Sequence, residues 1–171
     1  MPLPLLELVM IVKNSSDDLA PTLRAAKPYI DSWTILDTGS SDGTPEVVRQ
    51  ELCDVPGSLH QEPFVDFSTS RNRALELAGT KCEFTLMLDD TYHIVNGAGL
   101  RRDLKKARKK TNVAGCNILI QTGATLYPST RILRTADKVR YRHKIHEVPQ
   151  CPEEKRFSGL NQSQINDKES N

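Results

Sequence analysis

Short apolar runs of β-type alternate with helically spaced apolar positions along the first two thirds of the chain. Leu5–Val12 is a continuous apolar run broken only by Glu7, the pattern of a strand covered on both faces. Asp17 and Asp18 precede Leu19, Leu23 and Ala26, whose spacing predicts a capped helix ending near Pro28. Ser32–Thr38 predicts a second strand, and Pro45–Leu52 a second helix with Thr44 as N-cap and Pro45 in its first turn. Pro56–Pro63 predicts a short strand within a loop. Ser68–Ala78 predicts a third helix, capped by Ser68, with Leu75 and Ala78 toward the core. Phe84–Leu88 is a β-type run that ends in Asp89-Asp90.

Beyond it, Gly99–Lys110 predicts an amphipathic, very basic helix. Ala114–Thr122, Ser129–Thr135 and Lys138–Ile145 predict three strands, with turns at Gly123 and around Ala136-Asp137. From Pro149 the composition turns polar, and Asn161 to Asn171 hold almost no core formers. Residues 1–150 are therefore expected to form one α/β domain, and 151–171 a disordered polar tail. Strand–helix alternation argues for a mostly parallel central sheet flanked by helices, with a more antiparallel second half.

Size and charge narrow the function classes. A chain of 171 residues, 26% charged and 37% apolar, suits one globular domain with a sizeable core. A formal net charge of +1 gives no strong global field to attract nucleic acid or a membrane surface. The apolar start lacks a basic leader, and no run of about 18 apolar residues occurs, so no transmembrane segment is expected. Cys53, Cys82, Cys116 and Cys151 form no C-x-x-C and fall in separate predicted elements. Reduced, mostly buried thiols in a cytoplasmic protein are the expectation.

Candidate chemistry gathers at strand ends. Asp37 closes one predicted strand and Asp89-Asp90 another, and in an open α/β sheet such ends share the ligand-binding edge. The turn Gly39-Ser40-Ser41-Asp42-Gly43 offers small side chains and backbone N–H groups at a helix start, a setting for a nucleotide or phosphate. Carboxylates beside a diphosphate repel it unless a divalent cation lies between them. Arg71 falls in the first turn of the third helix, where a cation opposes the helix dipole. A nucleotide phosphate or a sheet-edge aspartate would compensate it; a solvated surface arginine is the alternative reading. Along Lys138–His146 strict alternation would put Val139, Tyr141, His143 and Ile145 on one strand face, and Arg140, Arg142, Lys144 and His146 on the other. The dense basic run Arg101–Lys110 is read as a solvated helix face.

These segments, in this order, resemble the family-2 glycosyltransferases of GT-A fold. The resemblance rests on Met10-Ile11-Val12-Lys13-Asn14, Asp37-Thr38-Gly39-Ser40-Ser41-Asp42-Gly43-Thr44, Phe67-Ser68-Thr69-Ser70-Arg71-Asn72-Arg73-Ala74-Leu75, Leu86-Met87-Leu88-Asp89-Asp90 and Ile145-His146-Glu147. It implies a GT-A-like α/β fold with a Rossmann-like first half. It also implies a UDP- or GDP-sugar donor, a divalent cation (Mn²⁺ or Mg²⁺), and a glycan or other hydroxyl acceptor. Carried over by position, Asp37 would read the nucleobase, with Val12 and Asn14 near the same pocket. Asp89 would contact ribose or sugar, Arg71 would lie near the donor, and Asp90 and His146 would bind the metal. Two departures stand out: Asn14 is followed by Ser15 where many relatives have Glu, and Asp89-Asp90 by Thr91 and Tyr92 rather than a further acid. No late Glu-Asp pair marks the base, and Glu147 is the choice, ahead of Asp137 and Glu153-Glu154. The expected activity is inverting, metal-dependent glycosyl transfer. A catalytically inactive nucleotide-sugar-binding module of a longer protein is the alternative. A sugar nucleotidyltransferase fits less well, because Lys13-Asn14-Ser15-Ser16-Asp17 is not a Gly-rich phosphate loop.

Overall fold

The computed structural model describes residues 1–168. Strand β1 (Leu6–Val12) lies inside the sheet, parallel to β2 (Ser32–Asp37) on one side and to β4 (Phe84–Leu88) on the other. Its apolar run serves two cores. Leu6, Leu8, Met10 and Val12 join one cluster with Leu19 and Leu23, while Val9 joins a second with Leu75 and Ala78. Alternate side chains point to opposite faces, so a strand buried on both must be apolar throughout. Glu7, the exception, is wholly buried and accepts a 2.6 Å hydrogen bond from the Thr34 hydroxyl.

Helices α1 (Leu19–Ala26), α2 (Thr44–Glu51), α3 (Phe67–Ala78) and α4 (Gly97–Arg108) supply the covering faces. The element order follows the apolar pattern, but the caps differ by a residue or two. Asp66, not Ser68, caps α3: its carboxylate accepts from the Thr69 N–H at 2.7 Å. Gly43 is the N-cap of α2, and Thr44 is the helix's first residue, held by the Asp42 carboxylate at 3.0 Å from its N–H. Asp18 stands at the N-cap of α1 without a side-chain cap bond, and Asn96 caps α4.

With β3 (Gly57–Gln61), β5 (Tyr92–Val95), β6 (Val113–Thr122), β7 (Thr125–Arg134) and β10 (Arg156–Asp167), the sheet has eight strands among the described residues, ordered β3-β2-β1-β4-β7-β6-β10-β5. The first four are mutually parallel, and β7 joins β4 antiparallel. This is the expected α/β architecture, a mostly parallel first half and a more antiparallel second.

Two expectations fail. Residues 156–167 are not a disordered tail but strand β10, bonded to β6 on one side and β5 on the other. Only Leu160, Ser163 and Ile165 of that strand are buried. Two-sided backbone pairing orders a segment whose composition alone looks unstructured. Residues 169–171 of the expected tail lie outside the described part. Nor does Lys138–Ile145 form one strand: β8 is only Tyr141–Arg142, paired with β9 (Val148–Pro149), and His143 and His146 adopt left-handed φ of 71° and 55°. The alternating faces read from the sequence therefore do not exist beyond Arg142.

Candidate active site

Register levels the strand ends. Val12 of β1 pairs with Asp37 of β2, and Met10 with Leu88 of β4. The segments Ile11–Lys13, Asp37-Thr38 and Asp89-Asp90 consequently leave the sheet on one edge, side by side. Between them opens a cavity of about 610 Å³. Ile11, Val12 and Lys13 after β1, Thr38 after β2, and Asp89, Asp90 and Tyr92 after β4 line it. Phe64 and Phe67, half-exposed and in edge-to-face contact at 5.3 Å, complete the lining with Arg71 and with Asp167 at the end of β10.

Each predicted residue has a definite place. Arg71 is buried on α3 and donates to Asp89 at 2.8 Å and to Glu147 at 3.1 Å. Of the readings open from the sequence, the structure has the sheet-edge aspartate, Asp89, and not a solvated surface arginine. Asp89 also receives Arg131 at 3.0 Å, and Arg131 lies 4.8 Å over the Tyr92 ring. Burial disfavours the charged Asp89 carboxylate, but the charges of Arg131 and Arg71 and their hydrogen bonds outweigh it and hold its pKa below the ordinary value. Asp90 accepts from the Ser15 hydroxyl, and its backbone carbonyl from the Thr22 hydroxyl at 2.6 Å. Val12 lines the cavity, its carbonyl held by the Thr38 N–H at 2.9 Å.

Among the described residues, the cavity wall does not include Asp37, Asn14, His146 or Glu147. Asp37 is fully buried behind Thr38. One of its oxygens accepts from the N–H groups of Gly39 and Ser40 at 3.1 and 2.8 Å, and the other from Gln61 at 3.3 Å. It shapes the turn, and Gly39 meets that turn's φ of 108° without a Cβ penalty. Asn14 fastens the same turn to β1: its N–H donates to the Ser40 hydroxyl and its carboxamide oxygen accepts from the Ser41 N–H. Glu147 faces a second cavity, of about 310 Å³, across Arg71. His146 sits exposed on the loop before β9.

Arg131, Asp167, Ser15 and Tyr141 were missed by sequence reasoning. Arg131 sits in an ordinary strand, and Asp167 in the segment taken for a tail, so neither carried a local signal. Asn72, quoted beside Arg71, has a plain structural use. Its carboxamide pairs both ways with the Tyr141 backbone, at 3.0 and 2.8 Å, and so anchors β8 to α3.

Among the described residues no three His, Cys, Asp or Glu side chains cluster as a self-sufficient metal site. Mg²⁺ and its like are commonly held by one or two carboxylates plus substrate phosphates. Asp90 fits that mode, since it lines the cavity and its carboxylate is bonded to a hydroxyl, not a cation.

Comparison with solved structures yields S. aureus TarS at TM-score 0.71 and 15% identity, covering 95% of this chain and 60% of that one. The fold is that of the GT-A glycosyltransferases. TarS in complex with UDP-GlcNAc also matches, at TM-score 0.65, 13% identity and 92% coverage of this chain, over 59% of its own length. A more distant match is glucosyl-3-phosphoglycerate synthase from Mycobacterium tuberculosis with Mn²⁺, UDP and glucosyl-3-phosphoglycerate, at TM-score 0.52 and 13% identity. It covers 69% of this chain and 44% of that one. Among curated proteins, the chain is 27% identical over 145 residues to a TPR repeat-containing protein of Synechococcus elongatus, covering 82% of this chain. It is 24% identical over 147 residues to the SPbeta prophage-derived glycosyltransferase SunS of Bacillus subtilis, again covering 82%. It spans 34% and 33% of those relatives' lengths, about a third. No family model matches. No helix among the described residues is long and apolar enough to cross a membrane.

Proposed function

We propose that this chain is a glycosyltransferase domain whose larger cavity binds a nucleotide-sugar donor. The observation that carries this is the convergence of Val12, Thr38 and Asp89-Asp90 on one 610 Å³ cavity at the C-terminal edge of a GT-A sheet. Solved structures of the same fold contain UDP or UDP-GlcNAc. The nucleoside lies along Val12 and Thr38, with Asp37 and Asn14 shaping that end from behind. Asp89, fixed in orientation by Arg71 and Arg131, accepts from ribose or sugar hydroxyls with its remaining lone pairs.

A divalent cation held by Asp90 and the donor phosphates would act as a Lewis acid on the leaving diphosphate. His146 stands outside this wall, and Asp90 carries the assignment without it. Arg71, buried and with its charge offset by Asp89 and Glu147, holds the Asp89 carboxylate in one preorganised orientation beside the leaving group. In the transfer, the acceptor oxygen bonds to the anomeric carbon from the opposite face as the carbon–phosphate oxygen bond breaks. The electron pair leaves with the nucleoside diphosphate, and Glu147 takes the acceptor proton.

The test is a panel of UDP- and GDP-sugars with and without Mn²⁺, read by calorimetry and by release of nucleoside diphosphate. Donor binding that strengthens with Mn²⁺, together with slow hydrolysis, is the expected result. Asp90→Ala should abolish the Mn²⁺-dependent part, and Lys106→Ala, on the exposed face of α4, should leave it intact. Equal affinity in the Asp90 variant would remove the metal assignment. Binding with no turnover for any acceptor would favour a binding module, for which the engagement of Glu147 by Arg71 is the specific support.

A further inference from the structure

The formal net charge of +1 is a difference between two opposed regions. Residues 97–112 hold seven cations and one acid, a net +6, which leaves −5 for the rest of the chain. Helix α4 sorts these cations into two sets. On its flanks, Arg101 grips Asp31 at 3.0 and 3.2 Å and donates to the Tyr29 carbonyl, and Arg108 donates to the Leu3 carbonyl at 2.7 Å. The lone acid, Asp103, is turned inward and accepts from the Asn161 and Gln162 N–H groups, both at 3.1 Å. These bonds, with the buried stripe Leu100, Leu104 and Ala107, fasten the helix to the domain.

The second set faces solvent. Arg102, Lys105, Lys106 and Lys109 recur at i, i+3, i+4 and i+7, and with Lys110 all five are exposed. Among the described residues, Arg102, Lys105, Lys109 and Lys110 make no ion pair, and Lys106 reaches Asp103 only at 3.9 Å. Arg102 donates to the neutral Gln162 side chain at 3.0 Å. Folded surfaces ordinarily intersperse both signs. The helix dipole accounts for Lys105 and Lys106 in the last turn, but not for Arg102 or for an outward stripe without an acid.

We propose that this stripe is a docking surface for an anionic lipid membrane. A helix whose apolar side lies in its own core and whose flanks are clamped cannot enter a nucleic-acid groove, but it can lie on a plane. Four of the five cations are lysines, hydrated point charges suited to a diffuse field of headgroups rather than forked recognition of one phosphate. No aromatic ring stands among residues 97–112 to stack on a base. The net −5 of the remaining chain is repelled by the same membrane, so the α4 face leads the approach. Helix α4 covers one face of the sheet while the larger cavity opens at its edge, so docking leaves that cavity open.

Co-sedimentation of the intact chain tests it, with phosphatidylcholine vesicles containing either no phosphatidylglycerol or about a third. Binding is expected only with phosphatidylglycerol at about 0.02 M NaCl, and should weaken steeply toward about 0.5 M. Each lysine neutralised should cost about fivefold, so Lys105→Gln/Lys106→Gln/Lys109→Gln should bind roughly a hundredfold more weakly. Removing equal charge at exposed positions elsewhere, by Arg49→Gln/Lys138→Gln/Arg142→Gln, should weaken it less than about threefold. Unchanged urea midpoints would show that both variants are folded. Equal loss in the two variants, salt-insensitive binding, or no preference for phosphatidylglycerol would each overturn the proposal. So would tighter binding of a short DNA duplex at the same salt, which would make the stripe a nucleic-acid surface. Release by inorganic phosphate beyond that caused by NaCl of matched ionic strength would replace the membrane surface with a discrete phosphate site.

Discussion

Replacing Arg71 by Met removes the cation shared by Asp89 and Glu147 while keeping most of the side-chain volume. Taking one partner from a buried ion pair typically costs about 3–5 kcal/mol, because the remaining charge is stranded. Two features lower that figure here. Asp89 keeps Arg131 at 3.0 Å, and the Asp89 and Glu147 side chains retain 29% and 18% exposure, so solvent screens part of the loss. The contact of the guanidinium with the Tyr141 ring, 5.8 Å from its centroid, adds roughly 0.5 kcal/mol. The expected destabilisation at neutral pH is about 2–3 kcal/mol, a fall in Tm of roughly 5–10 °C for a chain of this size. The pH dependence has a definite sign. The Asp89 pKa is depressed in the folded state, so its contribution is present above the unfolded-state value and lost as pH falls through the folded one. The gap between wild type and Arg71→Met should therefore narrow on acidification below about pH 4. Urea denaturation of Arg71→Met, Asp89→Asn and the double variant would give the coupling directly, provided unfolding is two-state. A loss under about 1 kcal/mol with negligible coupling, or a gap that widens in acid, would refute the reasoning.

Other outcomes follow from the same contacts. Asn72→Ala should cost about 1–3 kcal/mol, because it strands the Tyr141 backbone N–H and C=O. Limited proteolysis within residues 143–147 should accelerate with it. Burial pushes the Cys82 and Cys116 thiols up to about 11, so a disulfide reagent at neutral pH should label Cys53 rapidly and these two only on unfolding. Rapid labelling of either in the native protein would contradict their burial. Removing residues 156–171 should abolish cooperative unfolding, since β10 joins β6 to β5; a truncated chain that still melts sharply would show that β10 is dispensable.

The sequence by itself determined the parallel half of the sheet and the edge where the site lies. Those elements carry strong local signals: β1 must be apolar on both faces, and Pro45, Gly39 and Asp42 mark a strand-to-helix turn. Acids at Asp37 and Asp89-Asp90 were therefore placeable on one edge from chain order alone. Their individual duties were not, because a carboxylate at a strand end can face the cleft, as Asp90 does, or turn inward to hold a loop, as Asp37 does. Only the tertiary structure decided that Arg71 bridges Asp89 and Glu147, residues 18 and 76 positions away. It also recruited Arg131 from the antiparallel half. A polar segment became an interior strand, next to the sheet's edge, for the same reason: β10 is ordered by backbone bonds to β6 and β5, which leave no mark on its own composition. Periodicity records which residues face a core, while pairing and charge compensation depend on what arrives from elsewhere in the chain.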